Sequence, residues 1–145
     1  MGTVNQILRS KGSKVFSIAP TDTVYHALEI MMEKNLGAVV VMESENLVGI
    51  FTERDYARKV IIKGKRSMNT LVSEVMSKNV VTINPQDSIE NCMRLMSDKF
   101  IRHLPVIEND LLVGIISIGD VVKNIMEDQQ FIIDNLEHYI GGRHQ

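Results

Sequence analysis

The feature that most constrains this chain is an internal repeat. Pro20 and Pro85 stand 65 positions apart, and a shift by that period aligns residues 15–56 with 80–121 without a gap. Of the 42 pairs so aligned, 13 are identical and most others are conservative, among them Thr52 with Ser117, Val24 with Ile89 and Leu28 with Met93. Chance would give only a few identities. Self-similarity at a fixed period marks copies of one supersecondary unit, and a unit too small to cover its own apolar face must share a core with its twin. The chain of 145 residues has room for two such copies.

Each copy has the same grammar. A β-rich run (15–18; 80–83) leads to Pro20 or Pro85, which lacks the amide needed to extend a ladder. Asp22-Thr23 and Asp87-Ser88 then open a helix, with both aspartates expected as caps. Val24, Ala27, Leu28, Met31 and Met32 form a helical stripe, repeated by Ile89, Cys92, Met93 and Met96. Apolar strands 38–42 and 104–107 join strands 47–51 and 111–116 through short polar links, which predicts a hairpin in each copy. A second helix starts at Thr52 or Ser117. Segments 4–8 and 71–76 resemble each other and predict a lead-in helix before each copy, and residues 63–70 form a polar connection. From residue 121 to 140 the apolar residues Val122, Ile125, Ile132, Leu136 and Tyr139 keep helical spacing, predicting a long helix that ends at Gly141-Gly142. The expected fold is α+β: two β-α-β-β-α units, residues 1–70 and 71–145, with their sheets packed about a pseudo-twofold axis.

Composition narrows the partners. Sixteen basic against eighteen acidic residues leave a net charge of −2, and only 5% of residues are aromatic, which argues against a nucleic-acid partner. Cys92 is alone, so no internal disulfide forms, and no Cys/His cluster has zinc-ligand spacing, which fits a reducing compartment. The longest apolar run is far short of the ~20 residues that span a bilayer. Met1-Gly2-Thr3-Val4-Asn5-Gln6 carries no apolar signal region, and Gln6 stands where myristoylation needs Ser or Thr. A soluble cytoplasmic protein with no membrane partner is expected.

Two heptapeptides carry a more specific signal. Gly49-Ile50-Phe51-Thr52-Glu53-Arg54-Asp55 and Gly114-Ile115-Ile116-Ser117-Ile118-Gly119-Asp120 fit one pattern, glycine, apolar, any, Thr/Ser, any, any, Asp, at the repeat period. With the β-α-β pattern before each, they resemble the tandem cystathionine-β-synthase (CBS) domain pair, or Bateman module, over nearly the whole chain. The stretches Thr-Glu-Arg-Asp-Tyr-Ala-Arg-Lys and Ile-Arg-His-Leu-Pro-Val are most similar to stand-alone CBS-pair proteins of bacteria and plant organelles. The resemblance implies an adenosine nucleotide (AMP, ADP, ATP, in some members NAD(H) or S-adenosylmethionine) in clefts between the repeats. It implies no catalysis, no catalytic cofactor and no metal.

In that frame Thr52 and Ser117 sit at strand-to-helix corners with Asp55 and Asp120 three residues on. Taken alone this is a capping arrangement worth about 0.5–2 kcal/mol. The signature adds a second role. A helix N-terminus suits phosphate, the hydroxyls suit ribose or phosphate, and an acceptor-only carboxylate suits the two donors of a ribose diol. Ser17, Ile18 and Ala19, with Thr82, Asn84 and Pro85, and with Gly37, Ala38, Val39, Leu104 and Pro105, are expected to sandwich adenine and offer peptide groups to its edge. The copies differ elsewhere. Arg54 in copy one, expected to grip phosphate, faces Gly119 in copy two, expected to let the ligand approach closely. Arg102 and His103 replace Gly37 and Ala38, and His103 aligns with a position that often meets phosphate in the family; for both, a solvated strand edge is the alternative. Arg58, with Lys59 and the cations of 63–66, extends a phosphate site or is a solvated helix end. His26, His138 and His144 are expected at the surface, Cys92 and most methionines in the core.

The resulting expectation is a homodimeric regulatory module, not an enzyme, that senses an adenosine nucleotide and acts through an unidentified effector protein. The unpartnered stripe after residue 121 is expected to lie in the dimer contact. The alternatives are a structural or protein-interaction homodimer, an S-adenosylmethionine binder and a nucleic-acid binder.

Overall fold

The computed structural model describes residues 2–142, with side chains to 138. In chain order the elements are α1 (Val4–Lys11), β1 (Ser17–Ile18), α2 (Val24–Glu33), β2 (Ala38–Glu43), β3 (Asn46–Thr52), α3 (Glu53–Asp55) running into a π-helical turn (Tyr56–Ile61), a 3-10 turn (Ser67–Asn69), α4 (Val72–Val75), α5 (Ile89–Lys99), β4 (His103–Glu108), β5 (Leu111–Ser117) and α6 (Ile118–Gly142). Both copies of the expected β-α-β-β-α unit are present, with the lead-in helices and the long final helix.

The hairpins share one register. Ala38 faces Thr52 as His103 faces Ser117, and each ladder slips at the same place, between Val41 and Met42 or between Val106 and Ile107. The first strand differs. In copy one β1 pairs in parallel with β2, Ser17 opposite Val40. In copy two the expected strand 80–83 shrinks to one bridge, Ile83 with Val106. Its bonds are Ile83 N to the Pro105 carbonyl (3.0 Å) and Ile107 N to the Ile83 carbonyl (2.7 Å). Pro105 stands where copy one has Val40, and a proline has no N–H for the next rung.

Helix starts also depart from expectation. Thr23 and Ser88 are the caps, accepting from His26 N (3.1 Å) and Asn91 N (3.0 Å). Asp22 and Asp87 instead close the preceding loops, their carboxylates accepting from Ala19 N and Asn84 N at 2.8 Å each. Met32, placed on the α2 stripe, is exposed, because Val24, Ala27 and Met31 already fill the face that meets the sheet. Met68 and Met126 are exposed too, whereas Met31, Met96 and Cys92 are core. His26 and His138 are at the surface; His144 lies outside the described residues.

Two apolar clusters form the core, and each contains the lead-in helix of the other copy. Val4, Ile7 and Leu8 of α1 pack with Ile83, Ile89, Cys92, Met96, Leu104, Val106, Ile116 and Val121. Val72 and Val75 of α4 pack with Ile18, Val24, Val39, Val41, Phe51 and Val60. The division at 70/71 therefore separates the sequence copies but not the cores. Among the described residues no helix is long and apolar enough to cross a membrane.

The exchange has a measurable signature. Ile7→Ala should cost about 2–4 kcal/mol, and native-state hydrogen exchange should accelerate first in β4 and β5, distant in sequence, with β2 and β3 less affected. Preferential exposure of β2 and β3 would contradict the exchanged packing.

Candidate functional site

The two strand-to-helix corners are built alike. β3 ends at Thr52, whose hydroxyl accepts Asp55 N (3.0 Å) while the Asp55 carboxylate accepts Thr52 N (3.0 Å). At the end of β5, Ser117 accepts Asp120 N (3.2 Å) and Asp120 accepts Ser117 N (2.8 Å). The first helical amides, Glu53 N and Ile118 N, go to the carbonyls of Gly37 (3.0 Å) and Arg102 (2.8 Å) at the start of the neighbouring strand. Two of the first three amides at each helix start are thus already bonded within the protein.

The remaining valences of the carboxylates are filled differently. Asp55 Oδ1 accepts from Ser77 Oγ and from Lys59 Nζ, both at 2.9 Å, and the Asp55 side chain is 7% exposed. Asp120 Oδ2 instead meets Lys11 Nζ at 2.7 Å, and the same ammonium donates to the Ile115 carbonyl at 3.0 Å. The Asp120 side chain is 20% exposed and Lys11 34%. Lys11, Ser77 and Asn124, one turn past Asp120, are site residues that the sequence reading did not single out. The Asp55/Lys59 pair has the i,i+4 spacing of a helical ion pair; Lys11 and Ser77 arrive from the exchanged lead-in segments, with no local signal.

The other predicted residues divide into three groups. Gly37, Ala38, Arg102 and His103 line the corners, with Thr52 or Ser117 across the ladder. At Gly37 a Cβ would lie 3.2 Å from His103 Nε2 and 2.9 Å from Glu53 Oε1, so glycine lets the repeats meet there. A second group is structural: Ile18, Val39 and Leu104 belong to the apolar clusters, Ala19 N and Asn84 N are held by the loop aspartates, and the Pro85 carbonyl accepts Asn5 N (2.9 Å). Pro105 is buried within β4. The third group is exposed. Ser17 and Arg58 face solvent, and Thr82 lines a recess of about 280 Å³ with Glu45, Lys78 and Asp110 near the hairpin turns. Arg54 reaches across the repeats and donates to the Phe100 carbonyl. Gly119 has open space: a Cβ there would meet only Ser117 Oγ, at 3.6 Å.

His103 is held below its ordinary value of 6.5, mainly by burial, with Lys11 and Arg102 acting in the same direction and Asp120 opposing them. It is therefore mostly neutral at pH 7. His103, Ser117 and Asp120 adjoin one another, but among the described residues no hydrogen bond joins the imidazole to either partner; the hydroxyl and carboxylate are bonded to each other's backbone. A nucleophile-base relay is not assembled. Burial pushes the Cys92 thiol up to about 11, leaving it inert in the core. Among the described residues no group of three or more His, Cys, Asp or Glu side chains is placed to hold a metal ion.

Two hairpin units, each completed by the other's lead-in helix and each ending in a hydroxyl-carboxylate corner, define a paired-repeat module. The family model described as CBS domain matches residues 4–62 and 72–127, and the chain belongs to the CBS-domain family. It is 37% identical over 149 residues to a mitochondrial CBS domain-containing protein of Arabidopsis thaliana, covering 97% of this chain and 72% of that protein. A solved protein with CBS domains from Burkholderia ambifaria matches at TM-score 0.85 and 43% identity, over 88% of this chain and 96% of its own. The fold is also that of a CBS domain pair crystallised with 5′-methylthioadenosine and S-adenosyl-L-methionine, at TM-score 0.78 and 22% identity over 88% of this chain and 98% of that one.

Two measurements follow from the corner geometry. Asp55→Ala strands the Ser77 and Lys59 donors and breaks the cap, so it should destabilise the unliganded protein by about 1–3 kcal/mol, more than Asp120→Ala does; chemical denaturation of both variants checks this. For His103 the folded value lies below the unfolded one, so the unfolded state binds more protons as pH falls through 6.5. Stability should therefore fall with acidification below that value, and His103→Gln should flatten the slope. An unchanged slope would show that His103 does not couple to folding.

Proposed function

We propose that this chain is a regulatory module that binds an adenosine nucleotide at a strand-to-helix corner and passes occupancy to an effector protein as a homodimer. The observation that carries the ligand assignment is the Asp120 corner. It presents a partly exposed carboxylate, a hydroxyl, the open space over Gly119 and the Lys11 ammonium together. A carboxylate is an acceptor only and suits a ribose diol, while an ammonium beside it suits the negative charge of a phosphate. The methylthioadenosine and S-adenosylmethionine held by a protein of the same fold support an adenosine ligand generally. Lys11 favours a phosphate-bearing ligand (AMP, ADP, ATP or NAD(H)) over the sulfonium of S-adenosylmethionine, because two cations repel. Regulation is favoured over catalysis because the corner holds and orients groups without pairing a nucleophile to a base.

Dimerisation draws on α6. Val122, Met126, Phe131, Ile132, Ile133 and Leu136 are exposed along a helix that carries Glu127, Asp128, Asp134 and Glu137. The pseudo-equivalent end of copy one exposes Ile61 and Ile62 among Arg58, Lys59, Lys63, Lys65 and Arg66. In a twofold dimer the acidic helix of one protomer faces the basic segment of its partner, and the apolar residues pair between them.

A thermal-shift panel of AMP, ADP, ATP, NAD(H), S-adenosylmethionine and a short RNA tests the ligand. A nucleotide at a hundredfold excess over its Kd should stabilise by about 2.7 kcal/mol, and RNA should do nothing; a panel without any adenosine-ligand response rejects the reading. Sedimentation at tens of micromolar should show a dimer that Leu136→Asp converts to monomer. A wild-type monomer rejects the assembly.

A further inference from the structure

Resting on the adenosine-ligand reading, we infer that only the Asp120 corner admits a ligand, that Lys11 closes this corner when it is empty and holds the ligand's anionic end when it is filled, and that the Asp55 corner is an internal lock. The two corners are closed by different groups. In the first, Ser77 N donates to the Ile50 carbonyl and Ile50 N to the Ser77 carbonyl, both at 2.9 Å, while Ser77 Oγ donates to Asp55 at 2.9 Å. In the second, one side chain supplies the equivalent donors. Lys11 Nζ takes both the Ile115 carbonyl (3.0 Å), equivalent to that of Ile50, and the Asp120 carboxylate (2.7 Å).

The two closures differ in what must move to open them. Ser77 is tied through its main chain, and the adjacent Met76 packs so tightly over Gly49 that a Cβ there would lie 2.5 Å from Met76 Sδ. Freeing Asp55 means breaking a two-bond bridge and shifting that segment. Lys11 is 34% exposed on a flexible stem, and an exposed side chain changes rotamer within nanoseconds.

The acceptors left over point the same way. Position 124 is the repeat equivalent of 59. Copy one has Lys59, bonded to Asp55 at 2.9 Å. Copy two has Asn124, whose buried Oδ1 has no hydrogen-bond partner. Asp120 and Asn124 are i and i+4, neighbours on one helix face, and Asp120 Oδ1 also lacks a partner among the described residues. Asp120 Oδ1 is thus open to a hydroxyl donor of a vicinal diol, while the second unfilled acceptor, Asn124 Oδ1, is enclosed by the protein one turn further on. At Asp55 both carboxylate oxygens are bonded and no such acceptor remains. Above the second corner a Cβ on Gly119 would meet only Ser117 Oγ at 3.6 Å, whereas beside the first Arg54 spans to the Phe100 carbonyl. Once the diol engages Asp120, the displaced ammonium lies next to the ligand and pairs with its phosphate.

Calorimetry with AMP and with adenosine on wild type, Lys11→Met, Lys59→Met, Ser77→Ala and Asp120→Asn tests this, with melting curves confirming that each variant is folded. The expected result is one AMP per chain in wild type. Lys11→Met should weaken AMP about tenfold or more and adenosine by less than about threefold, as for loss of a charge-assisted bond to phosphate. Lys59→Met and Ser77→Ala should keep one site with both affinities within about threefold, and Asp120→Asn should lose both ligands. Two AMP per chain, an equal loss in Lys59→Met or Ser77→Ala, or an undisturbed Lys11→Met overturns this inference and leaves the adenosine reading standing. Absence of binding of either compound to wild type overturns both.

Discussion

Everything in this molecule depends on a reciprocal backbone clasp between each lead-in helix and the opposite repeat. Val4 N donates to the Asp87 carbonyl, Asn5 N to the Pro85 carbonyl, and Ile89 N returns to the Gly2 carbonyl, all within 2.9–3.0 Å. The mirror set is Val72 N to Asp22, Ser73 N to Pro20 and Val24 N to Thr70, within 2.8–3.0 Å. These bonds satisfy amides that a helix start leaves without intrahelical partners. They also seat Val4, Ile7 and Leu8 in one core and Val72 and Val75 in the other. Neither repeat is complete without the other's leader, and each corner is closed by a residue that arrives with that leader, Lys11 at Asp120 and Ser77 at Asp55.

The same clasp explains why duplication did not yield two equal sites. The leaders enter alike and leave differently. α4 stops at Val75, and Ser77 turns back to bridge Ile50; α1 continues to Lys11 and places a long side chain over the equivalent spot. A difference in helix length thus decides whether main chain or a lysine caps the aspartate. The replacement of Lys59 by Asn124 follows the same logic: where a lysine arrives from the leader, a second cation on the helix is not required.

Local chemistry made much of this legible in the sequence. The repeat, the hairpins, the Thr52 and Ser117 caps and the helix through Gly142 follow from periodicity, turn residues and the heptapeptide signature, since each is fixed by neighbours within one turn or one hairpin. What escaped is non-local. Pro105 removes a strand rung that only the partner strand reveals, and Val39 and Leu104 face the core because the hairpin register says so. The exchanged leaders, and with them Lys11 and Ser77, reach the corners across 109 and 22 residues of chain. His103 was expected to meet phosphate or to lie on a solvated strand edge, whereas it is partly buried against the other repeat at Gly37, and burial holds it below its ordinary value.

Depth turns one residue type into two devices. A carboxylate withdrawn from water must keep every partner, because an uncompensated buried charge costs far more than a hydrogen bond returns. Asp55, at 7% exposure with four protein contacts on or beside its carboxylate and amide, is in that position and resists any rearrangement. Asp120 and Lys11 remain in touch with solvent, where opening an ion pair costs about 1 kcal/mol or less because water replaces the lost contact. A ligand that brings two hydroxyl donors and its own negative charge more than offsets so small a cost, since it gives the aspartate and the lysine a new partner each. On the proposed reading, the corner that is weakest by itself is the one able to exchange its internal partner for an external one, and the buried corner keeps the frame around it.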